Sequence, residues 1–532
     1  MTMKRNVRRL ALFLTAVLLA GSCTACTEKQ TAEVDPIADN YRVGYQIFVG
    51  SFSDSDGDGI GDLQGIIDRI DYLNDGDVNG GTDLGVQLLW LSPIFPSPSY
   101  HKYDTTDYYA VDPKFGTEET LKELLRVSHE RNVKVILDIA LNHTSSANVM
   151  FQKFVTAHNN GDTANEFYDW YSWANYDNRR NGCTYAKLGT TGNEYYECNF
   201  DTGMPELNYD NPDVRAWVLE TLKYWLDLGV DGFRFDAVKY IYFGEQARNV
   251  SYWKELLAEL RETYPEAYFV GECWSGNSEI AQYCEALNCF DFSMATAEGF
   301  LAKAANGKSG QIDSLTKYVS SFNARIGSMR EDALFQPFIA NHDMDRAAGY
   351  LTISSGAAYM AANLLLLGPG SPVIYYGEEI GMKGTRGASN TDANRRLAML
   401  WGDGDTVRDP QGSTFDASKQ VNGTVATQKE DETSLLRHYG RVIALRNRYP
   451  AIARGSYQPI DFESAFLGGY DVTYEGAHLA ILHNTANTEV TVDLAEYAGF
   501  AFTKLVETVG LGSAALDGTK LTVGADTSCI LQ

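Results

Sequence analysis

Short β-rich runs alternate with helical stretches from Tyr41 to Tyr449, and this alternation constrains the fold more than any other feature of the chain. Eight runs have the length and the β-branched and aromatic content of buried strands: 43–49, 86–91, 133–139, 232–237, 267–271, 289–293, 335–340 and 372–376. Helix-like periodicity falls between them at 117–131, 214–228, 252–262 and 356–367. Parallel neighbours need a crossover, so strands that alternate with helices build a parallel sheet. Eight such units predict an α/β fold, a TIM (β/α)8 barrel.

Two departures from the alternation divide the chain further. Residues 144–208 are rich in Tyr, Asn and Gly and poor in aliphatic runs, which predicts an inserted subdomain after the third strand. The barrel is then expected over 41–143 and 209–450. After Pro450 the helical pattern stops, and alternating runs at 479–483, 489–493 and 520–523 predict a C-terminal all-β sandwich domain over 451–532.

Residues 1–22 read as a secretory signal peptide, with Lys4, Arg5, Arg8 and Arg9 ahead of an apolar stretch at 10–20. Ala20-Gly21-Ser22-Cys23 resembles a bacterial lipobox, with Cys26 as a competing lipid attachment point. A polar tether follows to residue 40. An extracellular or cell-surface location is expected, with plain secretion as the alternative and a lipid anchor as the sole membrane contact. The net charge is −26, and about −30 without the four leader cations, so the surface repels phosphate backbones and excludes nucleic acid as a partner. Monomer is the default expectation. Cys183 and Cys198 lie symmetrically about Thr190-Thr191; they read as a hairpin disulfide or as two unpaired thiols. Cys273, Cys284, Cys289 and Cys529 lack metal-ligand spacing.

Three strand candidates end in acids: Gly232-Phe233-Arg234-Phe235-Asp236, Gly271-Glu272-Cys273-Trp274 and Asn341-His342-Asp343. In a parallel barrel these ends share one mouth. A nucleophile and a proton donor there suggest glycoside hydrolysis. Arg234 and Asp236 sit two apart on a strand and so face the same way, and the cation is expected to favour the ionised Asp236. Glu272, between apolar Val270 and Trp274, is expected to stay protonated.

Asp138-Ile139-Ala140-Leu141-Asn142-His143, Gly232 to Lys239, Gly271 to Trp274 and Phe338 to Asp343 resemble, in order, the four signature regions of the α-amylase family, glycoside hydrolase family 13. Met204-Pro205-Glu206-Leu207-Asn208 resembles that family's additional region, and the likeness runs from Tyr41 to the C-terminus. The resemblance implies that Asp236 forms a covalent glycosyl-enzyme, that Glu272 is the general acid and base, and that Asp343 binds and distorts the sugar at the cleavage point. It implies that His143, His342 and Tyr103 contact that sugar, and that Lys239 reaches a sugar on the leaving-group side. Arg234 supports the nucleophile, and Asp138 and Asn142 brace the site.

Asp54-Ser55-Asp56-Gly57-Asp58-Gly59-Ile60-Gly61-Asp62 carries four carboxylates in nine residues, which repel one another unless a hard cation sits among them. The spacing resembles a calcium loop of the oligo-1,6-glucosidase branch, which implies Ca2+ held by Asp54, Asp56, Asp58, Asp62 and the Ile60 carbonyl. Ala237 after the nucleophile position implies α-1,4 linkages. The expected activity is endo-hydrolysis of starch and maltooligosaccharides. An exo-acting α-glucosidase, a neopullulanase or a maltodextrin glucosyltransferase is the alternative, and a surface lipoprotein that only binds starch is the non-enzymatic rival.

Overall fold

A computed structural model describes residues 37–77, 82–189, 192–497 and 501–532. The leader, Cys23, Cys26 and most of the tether lie outside the described residues. All eight predicted barrel strands form. They are Gly44–Ile47, Leu88–Leu91, Lys134–Ile139, Gly232–Phe235, Tyr268–Gly271, Asn288–Asp291, Gln336–Pro337 and Val373–Tyr375. Seven parallel pairings join them in sequence order, with the eighth strand beside the first. A parallel bridge from Phe338 to Val373 closes the ring between the seventh and eighth.

Strand parity explains where the core sits. Leu88, Trp90, Ile136, Tyr268, Val270, Phe290, Phe338 and Val373 point inward and fill the barrel. Their neighbours Leu89, Leu91, Val135, Leu137, Phe233 and Phe269 point outward beneath the helices. Gly232 enters the fourth strand at φ +147°, where any Cβ would collide with the backbone of Tyr268. The four predicted helices appear as Glu118–His129, Pro212–Leu228, Gln246–Thr263 and Ala357–Leu366.

Between the third strand and helix Pro212–Leu228, helix Val149–Asn160 packs with a small antiparallel sheet of Trp173–Asn175, Glu194–Glu197 and Tyr185–Lys187. In that sheet Tyr185 pairs with Glu197 and Lys187 with Tyr195. The register is one residue away from the one that would set Cys183 opposite Cys198. A one-residue slip moves a side chain to the opposite face, and both cysteines are free thiols.

The C-terminal domain is a five-stranded antiparallel sheet facing a three-stranded one. The larger sheet is buried on both faces. Tyr470, Val472, Leu479 and Ile481 join the core shared with the barrel helices. Ala480, Leu482, Cys529 and Leu531 face the second sheet. A buried polar chain crosses the junction: His438 and Asn363 on barrel helices bond each other, Asn363 reaches Ser528, and Ser528 reaches His483.

Candidate active site

The inward parity that fills the barrel carries upward into a cluster of charges at the C-terminal ends of the strands. Arg234, with no exposed surface, organises it. Its Nη1 donates to Asp138 Oδ1 at 2.8 Å and to Asp236 Oδ1 at 2.6 Å, while Nη2 lies 3.0 Å from Glu272 Oε2. Asp138 also accepts from the Trp90 indole and the Tyr103 hydroxyl, which satisfies a fully buried carboxylate. Ala237 takes up a left-handed conformation (φ +47°), a small strain of about 1 kcal/mol. The turn aims its N–H at Glu272 Oε2, 3.1 Å away.

The three acids are set apart electrostatically. Burial pushes Glu272 up to about 7, with Arg234 resisting and Asp236 and Asp343 adding to the rise. At Asp236 burial also outweighs Arg234, and the carboxyl rises to about 6. Arg234 favours the ionised form as expected, but desolvation is the stronger effect. Asp343 feels the same burial, yet His342 and Arg396 hold it well below the usual carboxylate range. Its contacts are Arg396 Nη2 at 2.7 Å and His342 Nε2 at 3.1 Å.

Tyr103 stacks on His342 with rings 8° from parallel, and its hydroxyl bridges His342 Nε2 and Asp138. His143 is buried and driven down to about 4, so it is neutral near pH 7; its Nε2 meets the Tyr103 carbonyl at 3.1 Å. Tyr103, His143, Asp236, Glu272 and Asp343, together with Phe200, Trp274 and the loops after the sixth to eighth strands, surround a cleft of about 880 Å³; His342 is fully buried beneath it. Lys239 does not line that cleft. Its ammonium donates to the Trp274 carbonyl and faces a smaller neighbouring hollow. Asn142 sits below the rim, where its amide donates to Glu206 of the inserted segment.

The catalytic-domain profile of the α-amylase family matches residues 46–455. The chain belongs to the α-amylase family. Alpha-amylase 3 of Dictyoglomus thermophilum is 34% identical over 84% of this chain and 85% of its own length. A 4-alpha-glucanotransferase of Thermotoga neapolitana is 30% identical over 85% of this chain and 97% of its own. The solved structure of Eubacterium rectale Amy13B superimposes with a TM-score of 0.86 at 31% identity, covering 95% of this chain and 98% of that one. The protein is thus a glycoside hydrolase family 13 enzyme.

Sequence reading passed over several residues of this α-amylase-family site. Arg396 grips Asp343, donates to the His342 carbonyl and reaches the Tyr100 hydroxyl. It lies in a long segment after the eighth strand with no periodicity to anchor it; the sole signal is the Arg395-Arg396 pair in an acidic chain. Gln46, inward on the first strand, meets His342 Nδ1 at 2.7 Å. Phe200 and Trp274 are about half exposed at the cleft, the rim placement of aromatic rings that face a ligand.

In the acidic loop, ligand atoms of Asp54, Asp56 and Asp58 converge within 4.8 Å of one another. Backbone N–H groups of Gly57 and Gly59 orient Asp54, and Thr406 donates to it. Asp62 stands apart from these three. It caps helix Leu63–Asp68 by accepting from the Gly65 N–H, and it also accepts from Ser55.

Proposed function

We propose that the protein is a retaining, endo-acting α-amylase that hydrolyses α-1,4 bonds of starch and maltooligosaccharides. The observation that carries this reading is the Arg234 fork, which holds Asp236 and Glu272 on its two terminal nitrogens. Acids held side by side suit double displacement, whereas inversion needs a wider gap to admit water. Asp236 attacks the anomeric carbon as Glu272, the weaker acid, gives its proton to the leaving oxygen. Glu272 then takes a proton from the water that releases the sugar. Asp343, kept ionised by Arg396 and His342, accepts hydrogen bonds from ring hydroxyls and stabilises positive charge developing at the sugar. Tyr103 offers a ring face to the same sugar, with His143 and His342 at its edge. Lys239 acts on the leaving-group side by fixing the Trp274 segment.

Room for several sugars and open-rim aromatics support internal cleavage. The measurement is the product pattern from amylose over time, with the Glu272→Gln protein as blank. Rapid loss of iodine staining with mixed maltooligosaccharides is expected. Glucose accumulating while staining persists would make the enzyme an exo-α-glucosidase, and longer chains formed from maltotriose would make it a glucanotransferase.

Calcium belongs to the same proposal. Asp54, Asp56, Asp58 and the Ile60 carbonyl would hold it as hard oxygen ligands, with Asp62 shaping the loop, and the ion would relieve the repulsion among the acids. Chelation is expected to lower Tm by several degrees, and added Ca2+ to restore it; the Asp56→Ala/Asp58→Ala protein should ignore both. An unchanged wild-type Tm would remove calcium from the proposal. The basic and apolar leader supports export to the cell surface, with Cys23 or Cys26 as the lipid attachment point.

A further inference from the structure

The segment after the second strand makes a closed excursion, in which the Thr106 N–H and hydroxyl both donate to the Pro96 carbonyl, at 2.8 and 2.9 Å. Tyr100, His101 and Tyr103 on this segment line the cleft. Lys102, in their midst, does not. It is 5% exposed and holds a left-handed backbone state, φ +68°, which a side chain with a Cβ disfavours and glycine accepts freely. Its side chain turns inward. The ammonium meets Asp112 Oδ2 at 2.6 Å, donates to the Ser97 carbonyl and lies over the Phe115 ring. Asp112 is itself buried and fixed, since its N–H donates to the Ile94 carbonyl and its Oδ1 accepts from the Lys114 N–H.

Neither the backbone state nor the ion pair is what stability alone would select. Taking both charges out of water offsets much of their attraction, and an apolar pair of similar volume is often as stable. Strain held in place by surrounding contacts gathers at functional sites. Here both features fall one residue before Tyr103. The tip of that tyrosine is fixed, because its hydroxyl bridges His342 and Asp138. Its backbone is the part the excursion must place: the N–H donates to His101 Nδ1 at 3.2 Å, and the carbonyl meets His143 Nε2 at 3.1 Å. A peg at Lys102 sets both, since the adjoining peptide plane moves with it.

We propose that Lys102 is a positioning residue for the glycosyl-transfer step, its ion pair with Asp112 holding Tyr103 at the height and tilt at which the ring meets the sugar. This role rests on the proposed stacking of Tyr103 on that sugar. Lys102 touches no reacting atom, so its loss acts through Tyr103. A long chain is held by its other sugars as well, so the loss shows in kcat and leaves KM alone.

The test follows kcat, KM and Tm with maltoheptaose. Lys102→Met keeps the apolar stem and removes the ammonium; kcat is expected to fall about tenfold, with KM within about twofold of wild type. Tm falls too, because Asp112 is left buried without its partner. The double variant Lys102→Gly/Asp112→Asn relieves the strained backbone and leaves no unpaired acid, so its Tm should return towards wild type while kcat stays low. In a Tyr103→Ala background either change should alter kcat by less than about twofold, the signature of residues that act as one unit. Wild-type kcat in the double variant would overturn the positioning role and leave a merely structural ion pair. A tenfold loss that persists undiminished in the Tyr103→Ala background would overturn it as well. Wild-type kcat for Tyr103→Ala alone would overturn the stacking itself, and the role of Lys102 with it.

Discussion

Replacing Glu272 with Gln is expected to cut kcat/KM on maltooligosaccharides by about 10³-fold, while kcat/KM on α-maltosyl fluoride falls by less than about tenfold. The contrast follows from what the proton is for. A sugar alkoxide is a poor leaving group and needs Glu272, whose carboxyl is lifted to about 7 and therefore carries a proton near neutrality. Fluoride leaves without one. Because kcat/KM reports the first irreversible step, glycosyl transfer to Asp236 proceeds from the fluoride. The second step then lacks its base, so kcat drops and a glycosyl-enzyme accumulates that mass spectrometry can place on Asp236. Asp236→Asn should instead lose about 10⁴-fold on both substrates, since no nucleophile remains. Equal losses on the two substrates for Glu272→Gln would take the proton-donor role away from Glu272. Full activity of Asp236→Asn on the fluoride would end the covalent mechanism.

Arg234→Lys should move the whole pH profile. In the wild type the limbs of kcat/KM are expected near 6, for ionisation of Asp236, and near 7, for loss of the Glu272 proton. Arg234 lowers both carboxyls, so weakening it raises both. A lysine is a point charge on a flexible stem and cannot hold two acids on a planar fork. Both limbs are expected to shift upward by about one pH unit. Stability should fall by about 3 kcal/mol, because Asp138 and the acids around it lose much of their main countercharge. Since Asp236 and Glu272 both titrate above their unfolded values, the folded state binds more protons between about pH 4 and 7. Their burial therefore costs stability as pH rises through that window, and the cost should extend to higher pH in the variant. A profile whose limbs stay in place, or move downward, would show that Arg234 is not the group setting these acids.

Much of this was legible before any coordinates. Strand parity alone set Arg234 and Asp236 on one face, because a strand repeats every two residues. Arg234 lies fully buried below, and Asp236 above it meets the cleft. The helices were legible for a similar reason. Gly229 terminates Pro212–Leu228 in a left-handed cap, and Asn211 opens it.

What escaped sequence reading lacks such a local signature. The Cys183–Cys198 pairing turned on a one-residue register that symmetry about a turn does not reveal. Lys239 closes the signature region in the chain, yet its side chain turns to the Trp274 carbonyl. The sign of the Asp236 shift depended on how completely the acid is buried, and burial is a property of the assembled barrel.

The sequence by itself therefore determined the barrel, the order of its strands and the three acids at their ends, since hydrophobic periodicity and turn chemistry act between near neighbours. Only the tertiary structure decided which cation holds Asp343. Arg396 meets Asp343 across 53 residues. Electrostatic pairing and desolvation depend on distances through space, which the order of residues along the chain does not contain.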